Sequence, residues 1–66
     1  MTVEVNGEPR ELADDVTVAD VVRSLVDGER GVAVALDGEV VPRGRWSEIR
    51  LAQGQQVEVL RAVQGG

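Results

Sequence analysis

Polar and apolar residues alternate at the start of the chain, over Thr2–Val5. A two-residue period predicts a β-strand that is half buried. The pair Asn6-Gly7 follows, and it favours a two-residue hairpin because both central positions of a type I′ turn need a positive φ. The return strand is predicted over residues 8–12. Pro9 has no amide hydrogen, so we expect this second strand at an edge of the sheet.

A helical period replaces the alternation after residue 16. Apolar residues recur at the spacing i, i+3, i+4, i+7 and i+8, which lays one apolar stripe along a helix. The stripe consists of Val18, Val21, Val22, Leu25 and Val26. Thr17 is a suitable N-cap, and Gly28 provides a stop. Asp20, three residues after Thr17, resembles the partner in a capping box, although glutamate or glutamine would fit that position better. Valine is a mediocre helix former, so packing against a sheet must stabilise this helix.

Two further strands are predicted in the middle of the chain, again joined by a hairpin turn. Residues 31–36 are continuously apolar, as expected for a strand that is covered on both faces or lies well inside the sheet. Asp37-Gly38 repeats the type I′ signal, and the return strand over residues 39–41 ends at Pro42. The order of elements is therefore hairpin, helix, hairpin.

The last strand is predicted over residues 56–62, and its apolar character places it centrally in the sheet. Leu60 and Ala62 suggest that the second face of this strand is partly covered too. The strand leads directly into the last residues of the chain. Trp46, the only aromatic residue, is expected to fill the core rather than to contact a ligand.

Composition limits the chemistry that the side chains can perform. The chain has 66 residues, no cysteine and no histidine. A domain of this size buries only about 60% of the surface that its unfolded chain exposes, which leaves little room for a catalytic cleft. Without cysteine there is no disulfide or thiolate, and without histidine the usual acid–base side chain near neutral pH is missing. We therefore expect neither an enzyme nor a cofactor or metal site.

The charge of the chain is strongly acidic. Twelve acidic residues outnumber seven arginines, which gives a net charge of −5. This charge argues against nucleic acid and suits a partner with a basic face, or simply keeps the protein soluble. No basic leader precedes an apolar run, and no apolar stretch approaches the roughly 20 residues that span a bilayer, so we expect no membrane contact and a cytoplasmic location.

The chain ends in Gly65 and Gly66. Because glycine has no side chain, such a tail can enter a passage too narrow for other residues and present its carboxylate without steric cover. The alternative is that two terminal glycines mark only a loose end. We predict a folded domain over residues 1–62 and a flexible tail over residues 63–66, in which Gln64 precedes the diglycine.

Two hairpins on either side of one helix, a closing strand and a terminal diglycine together resemble the β-grasp fold of ubiquitin-like proteins. The expected class is α+β, with a mixed sheet of four to five strands packed on one helix. Within this fold, the chain is similar to the thiamine-biosynthesis sulfur carrier family. The stretches that carry the resemblance are Asn6, Thr17-Val18, residues 31–36, Val41-Pro42-Arg43 with Trp46 three residues later, and residues 62–66.

The resemblance implies that the chain is a substrate of enzymes rather than an enzyme. An E1-like adenylating enzyme would use ATP to adenylate the carboxylate of Gly66. A sulfur donor, a cysteine desulfurase or a similar protein, would convert it to a thiocarboxylate, and thiazole synthase would take the sulfur. Gly65 and Gln64 would thread into the partner enzymes. Residues 53–55 depart from the family pattern, because many relatives have a more acidic turn there.

Three alternatives to this interpretation stay open at this point. A small subunit of molybdopterin synthase would carry sulfur on the same tail, although carriers of that type are usually longer and often have a proline before the diglycine. A ubiquitin-like modifier would instead be joined through Gly66 to lysines of other proteins. In a plain binding module the tail would be inert.

Overall fold

The computed structural model of the protein describes residues 1–26 and 31–61. Its elements are β1 (Thr2–Val5), β2 (Glu8–Glu11), α1 (Val18–Leu25), β3 (Val32–Leu36), β4 (Glu39–Val41), a 3₁₀ turn (Arg43–Arg45) and β5 (Gln56–Arg61). The strands of these ranges form one sheet in the order β2-β1-β5-β3-β4. β1 and β5 are parallel, and the other neighbours are antiparallel. With α1 against one face, this is the predicted α+β fold with a mixed sheet, here of five strands.

Both hairpins turn at the dipeptides that the sequence indicated. φ is 51° at Asn6 and 84° at Gly7, and the second turn has 49° at Asp37 and 87° at Gly38. Positive φ at both central positions defines the type I′ turn, whose twist matches that of the flanking strands. The first return strand, β2, ends at Glu11, one residue before its predicted end.

Pro9 lies on β2, at an outer edge of the sheet, as predicted. A two-residue hairpin makes Val5 and Glu8 a hydrogen-bonded pair, so the next pair, Glu4 and Pro9, exchanges no ladder bond. The proline nitrogen therefore faces the free edge. Because this nitrogen carries no hydrogen, no hydrogen bond inside the sheet is lost. A strand that approached this edge from outside would find no N–H donor at Pro9.

Helix α1 begins with a complete capping box. The Asp20 N–H donates to Thr17 Oγ1 (3.2 Å), and the Thr17 N–H donates to Asp20 Oδ2 (2.9 Å). The fully buried members of the apolar stripe are Val18, Val21 and Val22. The helix ends at Leu25, with Val26 extended at its C-cap. It therefore ends before the predicted stop at Gly28, which lies outside the described residues.

Trp46 fills the core, as predicted, with 2% of its surface exposed. The 3₁₀ turn over Arg43–Arg45 precedes it and turns the chain back after β4. The indole Nε1–H donates to the Val41 carbonyl oxygen at 2.8 Å, so the one polar atom of the ring is satisfied in the core. The other buried residues of the described ranges are Val3, Val5, Val18, Ala19, Val21, Val22, Val34, Val41, Leu51, Val57 and Val59.

The outer face of the sheet is open, and the predicted cover over Leu60 is wrong. Leu60 is 64% exposed, and Val40 on β4 is 77% exposed. The register places Leu60 opposite Ala33 on β3. It places Val40 opposite Ala35, so these apolar side chains share one face. The helix of the described residues covers only the other face, so β3 lies inside the sheet without being covered on both sides. Ala62 lies outside the described residues.

Replacement of Trp46 by alanine should lower the free energy of unfolding by about 3 to 5 kcal/mol, because it leaves a cavity in the core. Replacement by phenylalanine should cost less, since much of the ring is retained and the hydrogen bond to Val41 is lost. Urea denaturation of both variants beside the wild type measures these differences. A cost near zero for Trp46→Ala would show that the indole does not support the core.

The pKa of the Asp20 carboxyl is lowered from its ordinary value of 3.8 by the hydrogen bond from the Thr17 N–H, by the Thr17 side chain and by Arg23. A lowered pKa means that the carboxylate stabilises the fold above the unfolded pKa, and that this contribution is lost as the pH falls through the folded pKa. The difference in unfolding free energy between wild type and Asp20→Asn should therefore shrink from neutral pH to below pH 3.8. Urea titrations at both pH values measure it, and a constant difference contradicts this role of the charge.

Candidate functional site

The candidate site is the C-terminal end of β5, because the predicted tail follows it. The last described residue, Arg61, ends the central strand of the sheet. Gln64, Gly65 and Gly66 lie outside the described residues, so the roles assigned to them stay predictions. The same holds for the boundary between the domain and the tail. What the structure does describe is the base from which the tail starts.

The end of β5 is paired with β3 on one side, but on the other side its pairing with β1 stops earlier. Its antiparallel register with β3 continues to the last residue, where Val32 is opposite Arg61. The parallel register with β1 stops at Val57, which is opposite Val5. It stops there because β1 turns away at Asn6 into the first hairpin. The two strands therefore leave a step in the sheet beside the last residues of β5.

Asn6 reaches across this step with both its backbone and its side chain. The Asn6 N–H donates to the Val57 carbonyl oxygen at 2.8 Å. The Asn6 Oδ1 atom accepts a hydrogen bond from the Val59 N–H, also at 2.8 Å. The side-chain amide therefore replaces the strand that has turned away, and it continues the ladder by one bond. The sequence predicts the turn at Asn6 but not this acceptor role, because Val59 is 53 residues away and becomes a neighbour only through the topology.

Asp37 fixes the opposite end of β5, where the strand begins. Its carboxylate accepts one bond from the Gln56 N–H (2.9 Å) and one from Gln55 Nε2 (3.1 Å). Its own N–H donates to the Gln56 carbonyl oxygen at 2.8 Å. The second hairpin turn and the start of β5 are therefore joined through three hydrogen bonds to a single residue.

The glutamines in the turn before β5 have a structural role in the described ranges. Gln53 Oε1 accepts from the Thr2 N–H at 2.9 Å, and Gln55 Oε1 accepts from the Ala52 N–H at 2.8 Å. Each amide oxygen thereby satisfies a backbone donor that the sheet does not pair. These two bonds give the glutamines of this turn a structural role.

The described residues contain no group of three or more acidic residues that could hold a metal ion. A groove of about 270 Å³ lies between β2 and α1, and Arg10, Glu11 and Ser24 are its polar lining; no described β5 residue contributes to it. No helix in these ranges is long and apolar enough to cross a membrane.

Comparison with known proteins identifies relatives along the whole chain. Residues 3–66 match the model of the ThiS family. The sulfur carrier protein ThiS of Escherichia coli K12 is 26% identical over 66 residues, and the match covers 100% of both chains. A thiazole synthase of Paramagnetospirillum magneticum is 29% identical over the same length. That match covers 100% of this chain but only 20% of the synthase, so the chain corresponds to one segment of a much longer protein.

Two solved structures match the fold along the whole chain. The crystal structure of the thiamine biosynthesis protein ThiS from Geobacter metallireducens superposes with a TM-score of 0.83, at 32% sequence identity and with 100% of both chains covered. The solution structure of a thiamine biosynthesis protein from the same organism has a TM-score of 0.81, also at 32% identity, and covers 100% of this chain and 88% of that one.

The Asn6→Gly variant should retain the turn, because glycine also adopts positive φ, but lose the acceptor for the Val59 N–H. We expect faster hydrogen exchange at the Val59 amide and a loss of about 1 to 2 kcal/mol in unfolding free energy. Asn6→Asp is the matched control, because aspartate keeps an acceptor oxygen and tolerates the turn. NMR-detected exchange measures the effect, and equal Val59 rates in wild type and the glycine variant would refute this role of Asn6.

Proposed function

The chain belongs to the ThiS family and is a sulfur carrier of thiamine biosynthesis, and from this premise we propose that it holds the sulfur as a thiocarboxylate on Gly66. The observation that carries the proposal is the span of the family match, which runs to the terminal Gly66 and so includes the tail. In this proposal the protein is a carrier on which enzymes act, and its own side chains perform no catalytic step.

The proposed chemistry takes place at the terminal carboxyl carbon. A carboxylate oxygen of Gly66 attacks the α-phosphorus of ATP, and pyrophosphate leaves. The outer sulfur of a persulfide on a donor such as a cysteine desulfurase then attacks the carbonyl carbon, and AMP leaves with the oxygen. A thiol of a partner protein attacks the donor-side sulfur of the resulting acyl disulfide, forms a disulfide with the donor and leaves the thiocarboxylate on Gly66. A carbon–sulfur bond has replaced a carbon–oxygen bond, so a chain without cysteine can carry the atom.

The anchoring of β5 supports this use of the tail. Its strand pairing with β3 and the Asn6 bond to Val59 fix the point from which residues 62–66 start. Gly65 and Gly66 have no side chains, so this end of the tail is narrow. Gln64, just before them, has a side chain. We take residues 1–62 as the domain that partners recognise and residues 63–66 as the flexible tail that enters their active sites.

The proposed partners are an E1-like adenylating enzyme, the sulfur donor and thiazole synthase. The similarity to one segment of a Paramagnetospirillum magneticum thiazole synthase supports the last of these, because a synthase that contains a carrier-like segment joins the two functions in one chain. The same similarity favours thiazole formation over the molybdopterin and protein-modifier alternatives. The net charge of −5 suits partners with basic surfaces. We propose a cytoplasmic location, where ATP is available to the adenylating enzyme.

Deletion of Gly66 should abolish thiocarboxylate formation without changing the thermal unfolding transition, because a terminal glycine has no side chain to pack into the core. The full chain is incubated with the adenylating enzyme, ATP and a sulfur source, and intact-mass spectrometry measures the replacement of one oxygen by sulfur. Fragmentation then locates the sulfur. We expect it on Gly66 in the wild type and no modification in the deletion variant, whose unchanged unfolding curve is the control. Sulfur at another residue, or an unmodified wild type, would refute the proposal.

A further inference from the structure

The step beside β5 leaves main-chain groups of its last residues without a partner in the described ranges. The alternation of the β3–β5 ladder identifies them. The Asp37 N–H donates to the Gln56 carbonyl oxygen, so these residues form a hydrogen-bonded pair. In an antiparallel ladder every second pair is of this kind, so Leu60 bonds to β3 whereas Val59 and Arg61 turn their N–H and C=O groups away from it.

The bonds on the β1 side confirm this orientation. Val57 accepts from the Asn6 N–H, and the Val59 N–H donates to the Asn6 side chain. β1 does not extend beyond this bond. The Val59 carbonyl oxygen and the Arg61 N–H point into the step, and in the described part of the chain neither has a hydrogen-bond partner. We call the step formed by Asn6, Gly7, Val59 and Arg61 the β5 notch.

The β5 notch has the features of a site where another strand pairs with the sheet. An unpaired strand edge is a ready template for an extended segment of another chain. At one outer edge of the sheet, β2 is protected by Pro9, whereas no proline lies on β5. Leu60, between the two unpaired residues, presents its side chain on the open outer face and offers apolar contact to whatever pairs there.

The length of the chain after Arg61 indicates which protein comes close to the notch. Five residues, 62–66, follow Arg61, and even fully extended they reach at most about 18 Å. If Gly66 is adenylated as proposed above, the adenylating enzyme has to approach the end of β5 within this distance. Its surface therefore lies within about 18 Å of the notch whenever the carboxylate is at the ATP.

We propose that the β5 notch is the docking edge for an extended strand of the adenylating enzyme. A main-chain carbonyl of that strand accepts from the Arg61 N–H, and a main-chain N–H donates to the Val59 carbonyl oxygen. The strand extends the ladder that Asn6 continues by only one bond, and it holds the base of the tail while the carboxylate reacts. This inference rests on the proposed function of Gly66.

Two variants of Arg61 separate the contribution of its main-chain N–H to docking from the contribution of its side chain. Arg61→Pro removes the N–H that points into the notch, and Arg61→Ala removes the guanidinium but keeps the N–H. Adenylation is measured as ATP–pyrophosphate exchange at increasing carrier concentration with the adenylating enzyme. We expect the KM for the carrier to rise about tenfold in Arg61→Pro with a smaller change in kcat, and to change less than about threefold in Arg61→Ala. Equal KM values for the two variants would overturn the proposal.

Amide exchange of the wild-type carrier tests the same bond without a substitution. The Arg61 amide should exchange rapidly in the free carrier and slowly when the adenylating enzyme is saturating, whereas the Leu60 amide, bonded to β3, should be slow in both states. An Arg61 amide that stays fast in the complex would overturn the docking model. Failure of the docking model alone leaves wild-type adenylation intact, whereas absence of wild-type adenylation refutes the function of Gly66 and the docking together.

Discussion

The pairing of β5 with both β1 and β3 is the contact on which the fold depends. The two hairpins contribute the outer four strands, and β5 alone joins them into one sheet. On one side the contact is a parallel ladder that Asn6 continues with its side chain, and on the other it is the antiparallel ladder with β3. The strand that closes the core with Val57 and Val59 is therefore also the strand that leads into the tail.

This arrangement explains how a small domain without cysteine or histidine serves sulfur chemistry. The described residues supply a rigid base, and the proposed reaction uses only the terminal carboxyl group, so the demands on the fold are positional. In the proposed function, the open outer face with Leu60 and Val40 and the step at the end of β5 are left for partner recognition. The partner enzymes would provide the acids, bases and nucleotide site.

Local signals in the sequence predicted most of the fold, because they act between neighbouring residues. Asn6-Gly7 and Asp37-Gly38 determine their turns through backbone φ, and Thr17 with Asp20 begins the helix. Features that depend on distant pairing were missed or wrong. The acceptor role of Asn6 needs Val59, and the exposure of Leu60 follows from one helix covering only one face of a five-stranded sheet, which an apolar strand pattern does not reveal.

The central strand is also the last element of the described chain to be synthesised. The hairpins and α1 emerge from the ribosome first and rest on contacts close in sequence, but Asn6 and Val59 are 53 positions apart. Joining the hairpins must therefore wait for β5, and the slow, long-range step of folding comes at the end of translation. A chain broken off before β5 therefore lacks the strand that joins its two hairpins into one sheet.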